Sequence, residues 1–92
     1  MAQLLVRNRV KDFATWYHYF DVDTSAAAEY GLSVAHLWRA VDDPNNVFFV
    51  LNVESIEQAN AFMARPESRE IGAKSGVIDG EFYYLEPVTS NT

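Results

Sequence analysis

Residues Arg39 to Ala64 read RAVDDPNNVFFVLNVESIEQANAFMA, and the order of signals in this stretch decides the fold. Asp42-Asp43-Pro44-Asn45-Asn46 gathers turn formers, since Pro presets φ while Asp and Asn bond their own backbone. Val47 to Val53 is a β-branched and aromatic run, too short and too unbroken for a surface helix. Ser55-Ile56-Glu57-Gln58 has the spacing of a capping box, in which side chains satisfy the free N–H groups of a first helical turn. The stretch therefore predicts a strand end, a turn, an apolar strand and a helix that starts at Ser55.

Outward from there, Gln3 to Val10 alternates as a first strand. Asp12 caps a helix that carries Phe13, Trp16, Phe20, Ala27 and Tyr30 on one side, and Gly31 ends it in a left-handed conformation. Asp21 to Thr24 is a weak stretch where this helix could bend or restart. Leu32 to Val41 reads as the second strand and Val47 to Glu54 as the third. The second helix presents Ala59, Phe62 and Met63. Arg65-Pro66 interrupts it, because the residue before Pro disfavours helical geometry. Pro66 suits the first position of a further helical turn through Ala73, stopped by Gly76. Phe82 to Leu85 makes the fourth strand, and 88–92 is a polar tail.

The resulting β-α-β-β-α-β order is an α+β, ferredoxin-like fold in one domain spanning 1–92. Two right-handed crossovers put both helices on one face of a four-stranded antiparallel sheet. Strands two and three are apolar at nearly every position, so both their faces are expected to be buried. Helices cover one face only. A second subunit is expected to cover the other, giving a homodimer joined through its sheet faces.

Composition narrows the partners. The chain has 92 residues, 49% of them hydrophobic and 22% charged, within the ordinary range of a folded domain. Thirteen aromatics exceed what one small core needs, which again points to self-association. Net charge is −6 and the seven Lys and Arg are scattered, so no basic face exists for nucleic acid. No apolar run reaches the length of a bilayer span, and the MAQLLVRNRV start lacks the pattern of a secretory signal. Zero cysteines exclude disulfides, Cys-ligated metal and a thiol nucleophile. A cytoplasmic protein without membrane association is the expectation.

Asp12-Phe13, Trp16, Phe20-Asp21, Gly31-Leu32, Arg39, Asp42-Asp43-Pro44-Asn45, Val47, Ala59, Ala61-Phe62, Pro66-Glu67, Arg69-Glu70 and Ser75-Gly76-Val77 carry a resemblance. Over roughly Leu5 to Val88 the chain resembles small bacterial proteins of the dimeric α/β-barrel superfamily. That superfamily includes antibiotic-biosynthesis monooxygenases, muconolactone isomerases and some polyketide cyclases. The resemblance implies a pocket in each subunit, between sheet and helices or opening into the dimer barrel. It also implies aromatic or polyketide-like substrates handled without metal or flavin. Haem-degrading relatives place a haem-ligating His on the second helix, and Ser55 to Ser75 contains none. The matching residues are mostly caps, turns and core positions, and they carry no shared catalytic assignment.

Among chemistry-bearing residues, His36 is the best catalytic candidate. It lies mid-strand with Trp38 on the same strand face, and an imidazole can exchange a proton near neutrality. A core or interface His satisfied by a backbone carbonyl is the competing reading. Strand register decides its company. Pairs whose numbers sum to an even value put Asn52 on the His36 face; odd sums put Leu51 and Val53 there. Arg7 could clamp a carboxylate or enolate, or pair with Glu81 or Glu86 of a neighbouring strand. Tyr17 would rim a pocket mouth, and either Tyr83 or Tyr84 would face the barrel interior. His18 and Asp21 have metal-pair spacing but no third ligand, so no metal is expected. The acidic pairs Asp42-Asp43 and Asp21-x-Asp23 read as a turn and a solvated helix face. No phosphate loop or nucleophile elbow is present.

The expected function is a cofactor-free enzyme, a monooxygenase or an isomerase or cyclase, acting on a small hydrophobic or aromatic metabolite. His36 would move the proton, while Trp38, Asn52, Arg7, Tyr83 and Tyr17 would hold the substrate. A non-catalytic small-ligand binder, or a purely structural dimer, is the alternative.

Overall fold

In the computed structural model, which describes residues 2–88, four antiparallel strands take the order β2-β3-β1-β4. The chain runs β1 (Ala2–Val10), α1 (Phe13–Glu29), β2 (Leu32–Ala40), β3 (Asp43–Val53), α2 (Ile56–Ala64), α3 (Pro66–Lys74) and β4 (Val77–Leu85). This is the ferredoxin-like arrangement, with the second helical segment split in two at Arg65, which adopts an extended ψ of 144° before Pro66.

Local chemistry sets the boundaries. Asp12 accepts hydrogen bonds from the backbone N–H and hydroxyl of Thr15 at 3.0 and 2.8 Å, so α1 starts at Phe13. Ser55 caps α2 by accepting from the Gln58 N–H. Gly31 and Gly76 take φ of 75° and 82°, the left-handed geometry that ends a helix and that only glycine adopts without strain. Through Asp21 to Thr24, α1 continues unbroken, with the Thr24 hydroxyl bonded back to the Asp21 carbonyl.

Two strands are longer than the sequence pattern suggests. Asp43 to Asn46 pair as strand, leaving only Val41 and Asp42 at the turn. β4 begins at Val77, not at Phe82, because Asp79 and Glu81 find partners across the sheet in Arg9 and Arg7. The tail expected at 88–92 lies outside the described residues beyond Val88.

The core lies between the sheet and the helices. On β3, Val47, Phe49, Leu51 and Val53 are buried, flanked by Leu4 and Val10 of β1 and Leu32 of β2. Trp16, Ala59 and Phe62 cover them from the helices. Trp16 stacks on Phe20 with centroids 4.8 Å apart, and both approach Phe49, at 5.8 and 5.0 Å.

Opposite the helices the sheet is uncovered. Cross-strand pairing lays out rows there: Ser33–Asn52–Gln3–Leu85, then His36–Val50–Leu5–Tyr83, then Trp38–Phe48–Arg7–Glu81. Trp38 and Tyr83 stand about half exposed, at 50% and 53%. Within one chain this face of β2 stays exposed; the expected burial of both faces of β2 and β3 would place it against a second subunit. The β2–β3 register holds a further detail. Pairs sum to 85 at Leu32 to Val34 and to 86 at His36 to Arg39, because β2 bulges between Val34 and His36, and the register shifts again between Arg39 and Ala40. The bulge turns His36 and Trp38 onto the face that already carries Asn52.

Candidate functional site

The helix face of the sheet holds a pocket of about 190 Å³. Its walls are the aromatic rings of Trp16, Phe20, Phe49 and Phe62, with Leu32, Leu51, Ile71 and Val77 completing an apolar lining. These same side chains form or adjoin the core, so the pocket is a place where the helical layer does not fully cover the sheet.

Few polar groups reach it, and most are already engaged. The Thr24 hydroxyl donates to the Asp21 carbonyl at 2.7 Å, Ser68 to Phe62 at 2.6 Å, and Ser75 to Gly72 at 3.0 Å. Asp23, the charged residue of the lining, is paired with Arg65 at 3.3 Å. Asn8 differs. It stands on the helix face of β1 between Val47 and Gly80, and its amide makes no side-chain hydrogen bond among the described residues. No fully buried side-chain polar atom lacks a partner among those residues, so the free amide of Asn8 borders open space, the pocket it lines. Gly80 makes room for it: a β-carbon there would press on Asn8 Oδ1 and lie 2.6 Å from the Arg7 carbonyl oxygen.

Arg65 braces three residues of the lining. Its guanidinium donates through Nε to the Phe62 carbonyl at 3.0 Å and through Nη2 to Asp23 and Ser68 at 3.3 and 3.0 Å. It also lies over the Phe62 ring, 4.0 Å from the centroid. One side chain thus ties α1, the end of α2 and the start of α3 together.

The residues that the sequence singles out lie elsewhere. His36, Trp38, Asn52, Arg7 and Tyr83 all stand on the open sheet face, and Tyr17 lies on α1 stacked against Phe13 at 5.8 Å. None of the six lines the helix-side pocket. The fold does bring some of them together. His36 and Trp38 stack nearly parallel, centroids 4.8 Å apart at 12°. Asn52 is held between Gln3, which donates to it at 3.2 Å, and Ser33, which accepts from it at 3.3 Å. Arg7 bonds Glu81 at 2.7 Å, Asp79 at 3.4 Å and Asn46 at 3.2 Å, while the Tyr83 hydroxyl donates to Glu81 at 3.0 Å. The hydrogen bond from Arg7 holds the Glu81 carboxyl below the usual carboxylate range, with the Tyr83 bond adding to it. Sequence reasoning missed Asn8 as a site residue, although the signal was there: it is the polar interruption in the alternating set Leu4, Val6, Asn8, Val10.

No protein-family model matches this chain, and no curated protein does. Solved structures do share its fold. One is an antibiotic biosynthesis monooxygenase, 11% identical, with a TM-score of 0.75 over 97% of this chain and 100% of that one. Another is a variant of SnoaB, a cofactor-independent oxygenase from Streptomyces nogalater, 14% identical, TM-score 0.77, covering 97% and 94% of the two chains. An uncharacterized NIPSNAP domain protein from Burkholderia xenovorans has 12% identity and a TM-score of 0.71 over 98% and 97%. The architecture is therefore that of the antibiotic-biosynthesis-monooxygenase type of ferredoxin-like fold. At such identities the likeness concerns the fold.

Two outcomes test this geometry. Arg65→Ala is expected to lower stability by about 1–3 kcal/mol in urea denaturation, since it strands a half-buried Asp23. Arg65→Lys should rescue little of that, because an ammonium cannot reproduce the planar fork. Arg7→Ala should return the Glu81 carboxyl upward toward its ordinary value, read from carbon-detected NMR titration. The depressed carboxyl favours the folded state above about pH 4.3, the ordinary Glu value, and that contribution fades as pH falls through its folded value.

Proposed function

We propose that the protein is a cofactor-independent enzyme acting on a small hydrophobic or aromatic metabolite, with oxygenation as the favoured chemistry. The observation that carries the reading is the aromatic pocket with one free amide, Asn8, on its floor. The fold shared with a cofactor-independent oxygenase supports the choice of reaction. In such chemistry the substrate itself supplies the electrons. A ring methylene takes one oxygen atom from O₂ to become a carbonyl, and its two hydrogens leave with the other atom as water. The protein's part is to exclude solvent, hold the ring, and stabilise the oxygen on which negative charge develops.

His36 belongs to a different location in this reading. Side chains of one strand alternate between faces, so its imidazole is separated from the pocket by the β2–β3 hairpin itself. Its catalytic role requires a ligand on the open face, in the space between two sheets. That face is also where we place the homodimer contact. Trp38, Phe48, Val50, Leu5 and Leu85 form an apolar field beside the self-paired charges of Arg7, Arg9, Asp79 and Glu81.

Oxygen uptake and mass-spectrometric product analysis across phenols and ring ketones test the enzyme. Turnover should appear with the wild-type chain, vanish in Ala27→Phe, which fills the pocket, and survive in His36→Ala. Loss in His36→Ala alone would move the site to the open face. Return of every bound compound unchanged would identify a non-catalytic binder. For assembly, sedimentation should give a dimer that Trp38→Asp dissociates; a monomer in the wild type would refute the sheet-to-sheet contact.

A further inference from the structure

We infer that the pocket selects an uncharged molecule of one or two fused rings carrying a single oxygen, which Asn8 engages. This rests on the pocket being the binding site. Size sets the first limit. A dry apolar cavity of roughly 150 Å³ holds one benzene molecule, and this pocket, at about 190 Å³, is only modestly larger. The pocket opens to solvent on one side, so a third or fourth ring would have to project past Trp16, Phe20 and Phe62, which are packed into the core, and leave its apolar surface in water.

Charge sets the second limit. Asp23 is the one ionisable group in the lining, and the guanidinium that balances it is already bonded to Asp23, Ser68 and the Phe62 carbonyl. An anionic ligand would meet a carboxylate and no free cation, in an apolar surrounding where desolvating its charge is costly. A cationic one would have to compete with Arg65 for Asp23.

The count of polar partners sets the third. Thr24, Ser68 and Ser75 direct their hydroxyl protons to backbone carbonyls, while Ser33, also in the lining, belongs to the open-face row, where its hydroxyl accepts from Asn52. Asn8 alone offers an uncommitted amide, which donates through Nδ2 and accepts through Oδ1. It therefore suits one hydroxyl or one carbonyl at a single position on the ring system, and a second carbonyl elsewhere would find no free donor among these hydroxyls.

The test uses the full chain with naphthalene, 1-naphthol, 1-naphthoate and the tricyclic anthrone, followed by NMR at the Trp16 indole N–H and by calorimetry. We expect 1-naphthol to bind about tenfold more tightly than naphthalene, the scale of one good hydrogen bond. The naphthoate and anthrone should bind more weakly than either. Asn8→Leu should remove the naphthol preference while leaving naphthalene affinity in place, which also shows that the variant folds. Equal or tighter binding of naphthoate or anthrone would overturn the size and charge assignment while leaving the pocket as the site. A naphthol preference retained in Asn8→Leu would overturn the role of Asn8. No perturbation of Trp16 by any of the four would instead overturn the pocket as the binding site.

Discussion

The alternation along β3 is the constraint from which the remaining structure follows. Val47, Phe49, Leu51 and Val53 point to one side and are buried there. Because β3 is paired on both edges, by β1 and β2, its orientation fixes which residues of its neighbours face the helices. A slip of one residue would turn all four apolar side chains to the opposite face. The helices settle where that row can be covered, with Trp16 and Phe20 against Phe49 and with Ala59 and Phe62 closing the layer. The cover is not complete, and the gap it leaves is the pocket.

Coverage on one side only determines the character of the other. One end of the β1–β4 half of the open face, from Arg7 to Arg9, is occupied by ion pairs that satisfy each other within the chain: Arg7 with Glu81 and Asp79, and Arg9 with Asp79. Exposed pairs of this kind contribute little to stability, but they keep an edge of the sheet polar. The β2–β3 half carries His36, Trp38, Phe48 and Val50 instead. The bulge after Val34 adds His36 and Trp38 to that half. With the register of Leu32 to Val34 continued, His36 would oppose Phe49 and turn toward the helices. One extra residue re-aims the strand and brings the imidazole and indole together on the uncovered side.

Much of the fold is legible in the sequence because its signals are local. Asp12, Gly31, Ser55 and Pro66 each act within a turn of their own position, and each does what its chemistry predicts. Legibility fails where partners are distant. Asp79-Gly80 looks like a strand breaker, yet Asp79 pairs with arginines some 70 residues earlier in the chain and Gly80 yields space to Asn8. The pairing of Arg7 with Glu81 was readable as an alternative because both residues lie on strands. The bulge was not, since no Gly or Pro marks it. The pocket was the hardest feature of all. Its walls are Trp16, Phe20 and Phe49, residues that any pattern assigns to the core, and only their packing shows that they enclose a space.

That overlap between wall and core has an energetic consequence. In a 92-residue chain few apolar side chains are available, so the rings that line the pocket are the rings that hold the sheet to the helices. A ligand that binds only the folded chain stabilises it by mass action, about 2.7 kcal/mol at a hundredfold excess over its dissociation constant. A molecule of the right shape would do so by completing the apolar contacts that the empty space withholds from Trp16, Phe49 and Phe62. Arg65 makes the coupling sharper, since it joins all three helices through Asp23, Phe62 and Ser68 of the lining and cannot shift without disturbing each of them. A ligand in the pocket would therefore draw on the same contacts as folding, and its selection by shape would follow from the density of the core rather than from any separate recognition device.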